Sequence, residues 1–374
     1  MPRTPETRVW LLRHGASTFN LQHRCQGCSD EPELTMQGRH EARLSGERLA
    51  LEAIHVVITS PLRRSTETTG ELLQAVCAYD RRIASEIDTR LREIELYYWE
   101  GLSLKEIPRR FPEQYDDWRL RPNEFHMQLT DGQVLFPARD LYDCVRSLWV
   151  QLLSDHAGES ILLVSHGGTI RALIGTALGL GPEHFQSFQQ SNCGLSRLCF
   201  APKSGLGRLD LLNDTAHLGE CLPKLKEGRR GARLLFIPVI ETSPMALCNS
   251  ATGLDGVLLD QVFVFGGTAR SLASQHFPSS RESCLVVSEA MADSVADQLL
   301  HQYSVDQLLH IAILGPAAVL RRILQRQLRI SDTAAESLNL NPFEITSVHC
   351  PANGVPPVLQ SLNMRKPSPA LVGG

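Results

Sequence analysis

Two apolar runs, each closing on a histidine and then glycine, limit what this chain can fold into. They are Val9-Trp10-Leu11-Leu12-Arg13-His14-Gly15 and Ile161-Leu162-Leu163-Val164-Ser165-His166-Gly167-Gly168, with Arg171 close behind the second. Unbroken apolar runs of this length suit strands buried on both faces, and such strands belong to parallel sheets covered by helices. In open sheets of that kind ligands bind beyond the carboxyl ends of the strands. Both histidines are therefore expected at one functional edge.

The surrounding pattern extends this into an α/β fold, three layers α/β/α with a mainly parallel sheet. Strands are expected near 8–13, 55–59 and 160–165, and helices near 36–52, 61–78, 138–154 and 169–178. Ser60-Pro61 reads as a helix start, a capping hydroxyl followed by proline at the first helical position. Between about 99 and 136 the pattern breaks into short aromatic and arginine-rich pieces with several prolines, which suits a lid over the site.

A chain of 374 residues exceeds what one core usually serves, so two domains are expected. The first spans 1–213, and a linker spans 214–231, where Lys224, Lys226, Arg229 and Arg230 crowd with Gly228 and Gly231. The second, 232–374, reads as a degraded echo of the first. Arg233-Leu234-Leu235-Phe236-Ile237-Pro238-Val239 falls where the first histidine run would, Val262 to Arg270 lies on Val56 to Arg64, and Ile311 to Arg321 lies on Ile161 to Arg171. In this overlay proline or valine replaces both histidines, while Arg270 survives. Such a half keeps the fold without the catalytic histidines, and packing or formation of a homodimer is its expected role.

Composition excludes several classes. The formal net charge is −4, with 41 acidic and 37 basic residues, so the molecule as a whole carries no field that favours nucleic acid or an anionic membrane. An anionic ligand would need a local basic pocket. Ten cysteines lie scattered without a disulfide framework, and no signal-like apolar stretch precedes the first strand, so a reducing, cytoplasmic setting is expected. No apolar segment approaches the ~18 residues that cross a bilayer. Cys25-Gln26-Gly27-Cys28 has CxxC spacing but lacks a second ligand pair, so it is expected to be structural. Gly266-Gly267-Thr268 is expected to be a strand-to-helix turn rather than an anion cradle.

Leu11-Leu12-Arg13-His14-Gly15 resembles the signature of the histidine phosphatase superfamily, the phosphoglycerate mutase-like proteins. Ser17 and Asn20, Ser60-Pro61-Leu62-Arg63-Arg64, Leu91-Arg92-Glu93, Trp99-Glu100-Gly101 and Val164-Ser165-His166-Gly167-Gly168 follow in the family's order across roughly the first 210 residues. The chain departs from the family pattern at Ala16 and at Tyr97-Tyr98, the latter suggesting a different substrate wall. The resemblance implies a metal-independent and cofactor-independent phosphoric monoester hydrolase acting on a small phosphate ester. In that role His14 is the nucleophile that becomes a phosphohistidine, with its second ring nitrogen donating to a backbone carbonyl of the same turn. Arg13, Arg64, Asn20 and the Gly167 amide grip phosphate oxygens, and His166 adds a donor if the dianion protonates it. Glu93 is the general acid and then base; the lesser alternative is a surface carboxylate that pairs with Arg90 or Arg92. Tyr97, Arg119 and Arg121 are candidate substrate contacts, although the arginines, with Arg109 and Arg110, could instead form a solvated face of the lid.

Within the superfamily the likeness runs to the 2-carboxyarabinitol 1-phosphate phosphatases of plants and their cyanobacterial relatives. It rests on Leu91-Arg92-Glu93-Ile94-Glu95-Leu96-Tyr97, Trp118, Arg121-Pro122-Asn123-Glu124-Phe125, Phe136-Pro137-Ala138-Arg139-Asp140-Leu141, Trp149 and Gln190-Ser191-Asn192-Cys193-Gly194-Leu195. The resemblance implies a sugar-acid phosphate as substrate. Alternatives are a phosphoglycerate mutase, a phosphatase for phosphoserine or alpha-ribazole phosphate, and a regulator that binds a phosphorylated metabolite without turnover. The short interval between Glu93 and His166 lacks the long insert by which mutases of this family shield their phosphohistidine, so hydrolysis is preferred.

Overall fold

The apolar runs become strands buried at nearly every position. In the computed structural model, which describes residues 5–226, 228–240, 254, 257–266, 285–301, 307–352 and 354–364, β1 is Thr7–Arg13, β2 Val56–Thr59 and β3 Ala84–Ile87. A two-stranded hairpin, β4 (Met127–Gln128) and β5 (Val134–Leu135), precedes β6 (Ser160–Ser165) and β7 (Leu195–Phe200). Every residue of β2 and β6 is buried, as a strand covered on both faces requires. Clustering of contacts divides the chain into two compact units.

The first unit comprises Met1–Gln186 and Gln190–Leu209. Its sheet runs β7-β1-β6-β2-β3. β1 pairs in parallel with β6, β6 with β2 and β2 with β3, while β7 lies antiparallel to β1. The helices are α1 (Thr18–Leu21), α2 (Met36–Leu49), α3 (Arg63–Cys77), α4 (Ile107–Arg110), α5 (Pro112–Leu120), α6 (Pro137–Asp155) and α7 (Gly167–Ala177). α2 packs on α3, and α6 on α7. The α2–α3 contact is close because Gly46 has no side chain: a Cβ there would stand 2.5 Å from the Leu72 carbonyl oxygen and 2.8 Å from Ala75 Cβ.

The stretch expected to be a lid holds α4, α5 and an aromatic cluster. Trp99 stands 5.0 Å from Phe125 and 6.1 Å from Trp118, and Trp118 stands 5.1 Å from Phe185. One local expectation fails. Ser60 does not cap α3, which starts at Arg63 after Leu62 without a side-chain cap; the Ser60 hydroxyl accepts from Leu62 N (3.3 Å), in the turn before the helix, and lies 2.7 Å from His166 Nε2. That hydroxyl serves both the turn and the site.

The second unit comprises Ser187–Gln189 and Asp210–Gly374, so the division falls inside β8 (Gly207–Asp214). Ser187–Gln189 belongs with it because Gln189 N donates to Leu359 O (2.9 Å) and Leu359 N to Ser187 O (2.8 Å). Its further strands are β9 (Gly231–Pro238), β10 (Gln261–Phe265), β11 (Leu285–Val287), β12 (Leu308–Gly315), β13 (Ile345–Pro351) and β14 (Val358–Met364). The order β13-β9-β12-β10-β11 repeats that of the first unit, with β13 antiparallel and the rest parallel.

The correspondence reaches single hydrogen bonds. His14 N donates to Ser165 O (2.9 Å) and Val239 N to Gly315 O (2.9 Å); Cys193 N donates to Arg13 O (3.1 Å) and Phe343 N to Pro238 O (2.8 Å). Cys193 and Phe343 share a left-handed backbone, φ 51 and 64. By these bonds Val239 stands at the place of His14, and Pro316 at that of His166. Gly267, Thr268 and Arg270 lie outside the described residues. No helix among the described residues is long and apolar enough to cross a membrane.

Replacing Gly46 by leucine should force α2 from α3 and lower stability by about 1–3 kcal/mol, as overpacking does. Urea unfolding checks this: an unchanged midpoint would contradict the close contact.

Candidate active site

β1 and β6 are direct neighbours, so their C-terminal ends place both histidines side by side. The ring centroids of His14 and His166 lie 5.2 Å apart, and both residues are buried. His14 Nδ1 lies 2.8 Å from the Gly15 carbonyl oxygen. An N–H on Nδ1 donating to that oxygen leaves Nε2 as the basic nitrogen of the ring. Asn192 Nδ2 holds the same turn, donating to His14 O (3.0 Å) and Gly15 O (3.2 Å).

His166 is the N-cap residue of α7, and its Nε2 faces Ser60 Oγ (2.7 Å) and Ser65 Oγ (3.3 Å). Its Nδ1 is buried without a hydrogen-bond partner. Burial first, then the Arg64, His14 and Arg13 charges, hold its titration well below 6.5. The ring is therefore neutral at pH 7, and gaining a proton requires a negative charge beside it.

Arg64 is completely buried on α3, where Nη1 donates to Ser29 O (2.7 Å) and Nη2 to Gly27 O (2.8 Å). Arg13 Nη1 donates to Gln190 O (2.9 Å). The Nε of each is buried and makes no hydrogen bond. Burial brings Arg13 down to about 10, against the pull of Glu93, and lowers Arg64 as well. Arg13 thus stays cationic at pH 7. Among the described residues neither guanidinium has a carboxylate hydrogen-bonded to it, and a buried and a half-buried cation bound only to neutral carbonyls make a strong site for an anion.

The loop that carries Gly27 and Ser29 is braced from behind. Glu100, of Trp99-Glu100-Gly101, accepts from Cys28 N (2.6 Å), and burial raises its carboxyl. Burial also pushes the Cys25 and Cys28 thiols up to about 12, so neither is a thiolate at neutral pH. Cys28 Sγ donates to Glu93 O (2.8 Å), and no group of three metal-binding side chains occurs among the described residues.

Glu93 sits at the head of α7, accepting from Gly168 N and Thr169 N (3.2 Å each) and from Ile94 N (2.9 Å). Its strand of chain is tied down by Ser165 Oγ, which donates to Leu91 O (2.8 Å), and Thr169 Oγ1, which donates to Arg92 O (2.5 Å). A side chain at Gly168 would displace the carboxylate, since a Cβ there would lie 2.5 Å from Glu93 Oε1. With two α7 amides taken by Glu93, Gly167 N–H is the one left at the helix start, beside Arg13: a Cβ on Gly167 would lie 3.5 Å from Arg13 Nε.

Asn20 completes the ring. Its Oδ1 accepts from Ser17 N, Ser17 Oγ and Asn192 Nδ2, 3.1 Å each, which fixes the amide so that Nδ2 remains to donate. The structure thus gathers His14, Arg13, Arg64, His166, Glu93, Asn20 and Gly167 around one edge. Tyr97 is exposed, its hydroxyl against Glu95; Arg119 lies over the Tyr115 ring, 5.6 Å from its centroid; Arg121 is exposed and bound to Asp117 and Glu124. Sequence reading missed Ser60 and Ser65 as partners of His166 and Asn192 as the clamp on the first turn. Only Asn192 carried a signal, as part of the family-like Gln190-Ser191-Asn192.

The histidine phosphatase superfamily (branch 1) matches residues 9–215, and the chain belongs to that family. It is 40% identical over 212 residues to a probable 2-carboxy-D-arabinitol-1-phosphatase of Arabidopsis thaliana, covering 56% of this chain and 42% of that protein. It is 30% identical over 228 residues to a probable phosphoglycerate mutase GpmB of Salmonella paratyphi A, covering 60% of this chain and 99% of that one. Among solved structures, mycobacterial glucosyl-3-phosphoglycerate phosphatase in complex with VO3 is 28% identical, covering 55% of this chain and 98% of its own, with a TM-score of 0.48. The chain spans less than half the length of the 2-carboxyarabinitol phosphatases it matches.

The neutral His166 sets a pH dependence. An unfolded histidine titrates near 6.5 and folded His166 well below, so between those values the unfolded chain holds more protons. Its contribution is full above about 6.5 and is lost as pH falls, at up to about 1.4 kcal/mol per pH unit. Thermal unfolding from pH 7.5 to 5.5 should show a larger loss for the native protein than for His166→Gln; equal losses would remove His166 from this role.

Proposed function

We propose that the chain is a metal-independent phosphatase that hydrolyses a small phosphorylated metabolite through a phosphohistidine at His14, and that its substrate is a sugar-acid phosphate of the 2-carboxyarabinitol 1-phosphate kind. The observation that carries the reaction is the pairing of a tautomer-fixed His14 with two guanidiniums, the buried Arg64 and the half-buried Arg13, that have no hydrogen-bonded carboxylate among the described residues. Arg13, Arg64, Asn20 Nδ2 and Gly167 N–H hold the phosphoryl oxygens. The dianion raises the proton affinity of His166, which then donates as well. His14 Nε2 attacks phosphorus while Glu93 gives a proton to the departing alkoxide; Glu93 then takes a proton from the water that cleaves the phosphorus–nitrogen bond. Phosphate leaves and His14 is restored. The substrate class is supported by the 40% identity to the Arabidopsis protein.

In the second unit Val239 and Pro316 occupy the places of the two histidines, so we assign it a non-catalytic role in packing or dimerisation. All turnover then belongs to His14. Removing the nucleophile as His14→Ala should cut phosphate release from the full chain roughly a thousandfold or more. Activity retained in that variant would place chemistry elsewhere.

Glu93→Gln separates the acid from the cradle. Hydrolysis of alkyl phosphates should slow about 10²–10⁴-fold, and that of p-nitrophenyl phosphate, whose leaving group scarcely needs a proton, much less. Equal slowing would remove Glu93 from proton transfer. With 3-phosphoglycerate, free phosphate supports hydrolysis, and interconversion without release would favour a mutase.

A further inference from the structure

Two serine hydroxyls converge on one nitrogen of His166. Its Nε2 lies 2.7 Å from Ser60 Oγ and 3.3 Å from Ser65 Oγ, and all three residues are fully buried. We propose that Ser60 and Ser65 are positioning residues that fix the His166 proton on Nδ1, so that the ring meets a phosphoryl oxygen as a hydrogen-bond donor. The proposal rests on the phosphatase reading and adds to it the two hydroxyls that set the state of its second histidine.

Hydrogen-bond satisfaction decides which nitrogen holds the proton. A buried hydroxyl needs an acceptor for its own proton. Among the described residues the one acceptor in reach of both the Ser60 and the Ser65 hydroxyl is His166 Nε2. The Ser60 oxygen is itself met by Leu62 N–H, 3.3 Å away, which leaves its proton to point at the ring. A neutral ring protonated at Nε2 would leave both hydroxyl protons buried without an acceptor. A lone pair on Nε2 takes them, with Ser60 at the shorter distance as the main donor. The proton of the neutral ring then sits on Nδ1.

Nδ1 is buried and has no hydrogen-bond partner among the described residues, so its proton is a donor that lacks an acceptor within the protein. The ring stands 5.2 Å from that of His14 and feels the charges of Arg64 and Arg13, which sets this donor among the groups of the phosphoryl cradle. With the proton on Nε2 instead, a lone pair at Nδ1 would repel the oxygens of a phosphate. Both histidines thus hold the same tautomer but are anchored by opposite nitrogens. His14 is anchored by Nδ1–H on the Gly15 carbonyl oxygen, which leaves a lone pair for attack; His166 is anchored by its Nε2 lone pair, which leaves an N–H to donate. A second proton drawn to His166 by the dianion has Nε2 as its place, where a serine oxygen can accept.

Long-range proton–nitrogen correlation spectra of the full chain, carrying 15N-labelled histidine at neutral pH, test this directly; the His166 signals are those lost in His166→Gln. A protonated Nδ1 and an unprotonated Nε2 are expected, and inorganic phosphate should shift the Nδ1 signal without removing its proton. A proton on Nε2 of the phosphate-free ring, or an Nδ1 signal that phosphate leaves unmoved, would overturn the proposal. Ser60→Ala combined with Ser65→Ala should let the ring sample both tautomers and lower kcat/KM for p-nitrophenyl phosphate roughly tenfold or more. Ser60→Thr combined with Ser65→Ala keeps the main hydroxyl and should restore the native tautomer. Activity lost with the tautomer unchanged would remove the serines from this role, and the wild-type spectrum decides the proton's place even where a variant does not fold. No phosphate released from p-nitrophenyl phosphate by the wild type would instead overturn the phosphatase reading, a result read separately from the tautomer.

Discussion

The parallel pairing of β1 with β6 is the constraint on which the site depends. Its register sets Arg13 opposite Ser165, and the next backbone bond, His14 N to Ser165 O, carries the ladder one residue past the strand. Two histidines far apart in sequence are thereby fixed with ring centroids 5.2 Å apart. A one-residue slip would turn every side chain of the strand to the other face. Both strands are buried along nearly their whole length, so the pairing that sets the two histidines side by side is held inside the core.

Around that pair the fold concentrates positive charge where water is scarce. Arg64 is tied to the Gly27 and Ser29 carbonyls, and that loop is braced by Glu100. The cation is thus oriented by neutral groups, and its charge is left to a ligand. Glu93, the nearby carboxylate, is held by three backbone amides. With Glu93 held on helix amides and the guanidiniums on carbonyls, carboxylate and cations are not hydrogen-bonded to each other among the described residues, as the proposed phosphoryl-binding role requires.

The parts of this arrangement that follow from local pattern were readable in the sequence. Apolar runs announced β1, β2 and β6, and ordered motifs announced His14, Arg13, Arg64, Glu93 and His166. Less legible was β3, whose Ala84–Ile87 is exposed at every residue and carries no apolar signal. Ser60 misled because a serine before proline is a good cap in isolation, whereas here its hydroxyl holds Leu62 N one turn early and meets His166 across the fold. Asn192 and Ser65 act across long sequence separations, which no periodicity records. The repeated strand order of the second unit was visible only as weak likeness, since its histidine positions hold Val239 and Pro316.

The most direct measurement is to quench the protein within milliseconds of mixing with an isotopically labelled phosphate ester and locate the label by peptide mass spectrometry. The account predicts an acid-labile phosphoryl group on the peptide containing His14, forming and decaying at rates that match turnover. Steady hydrolysis with no label on that histidine would contradict it.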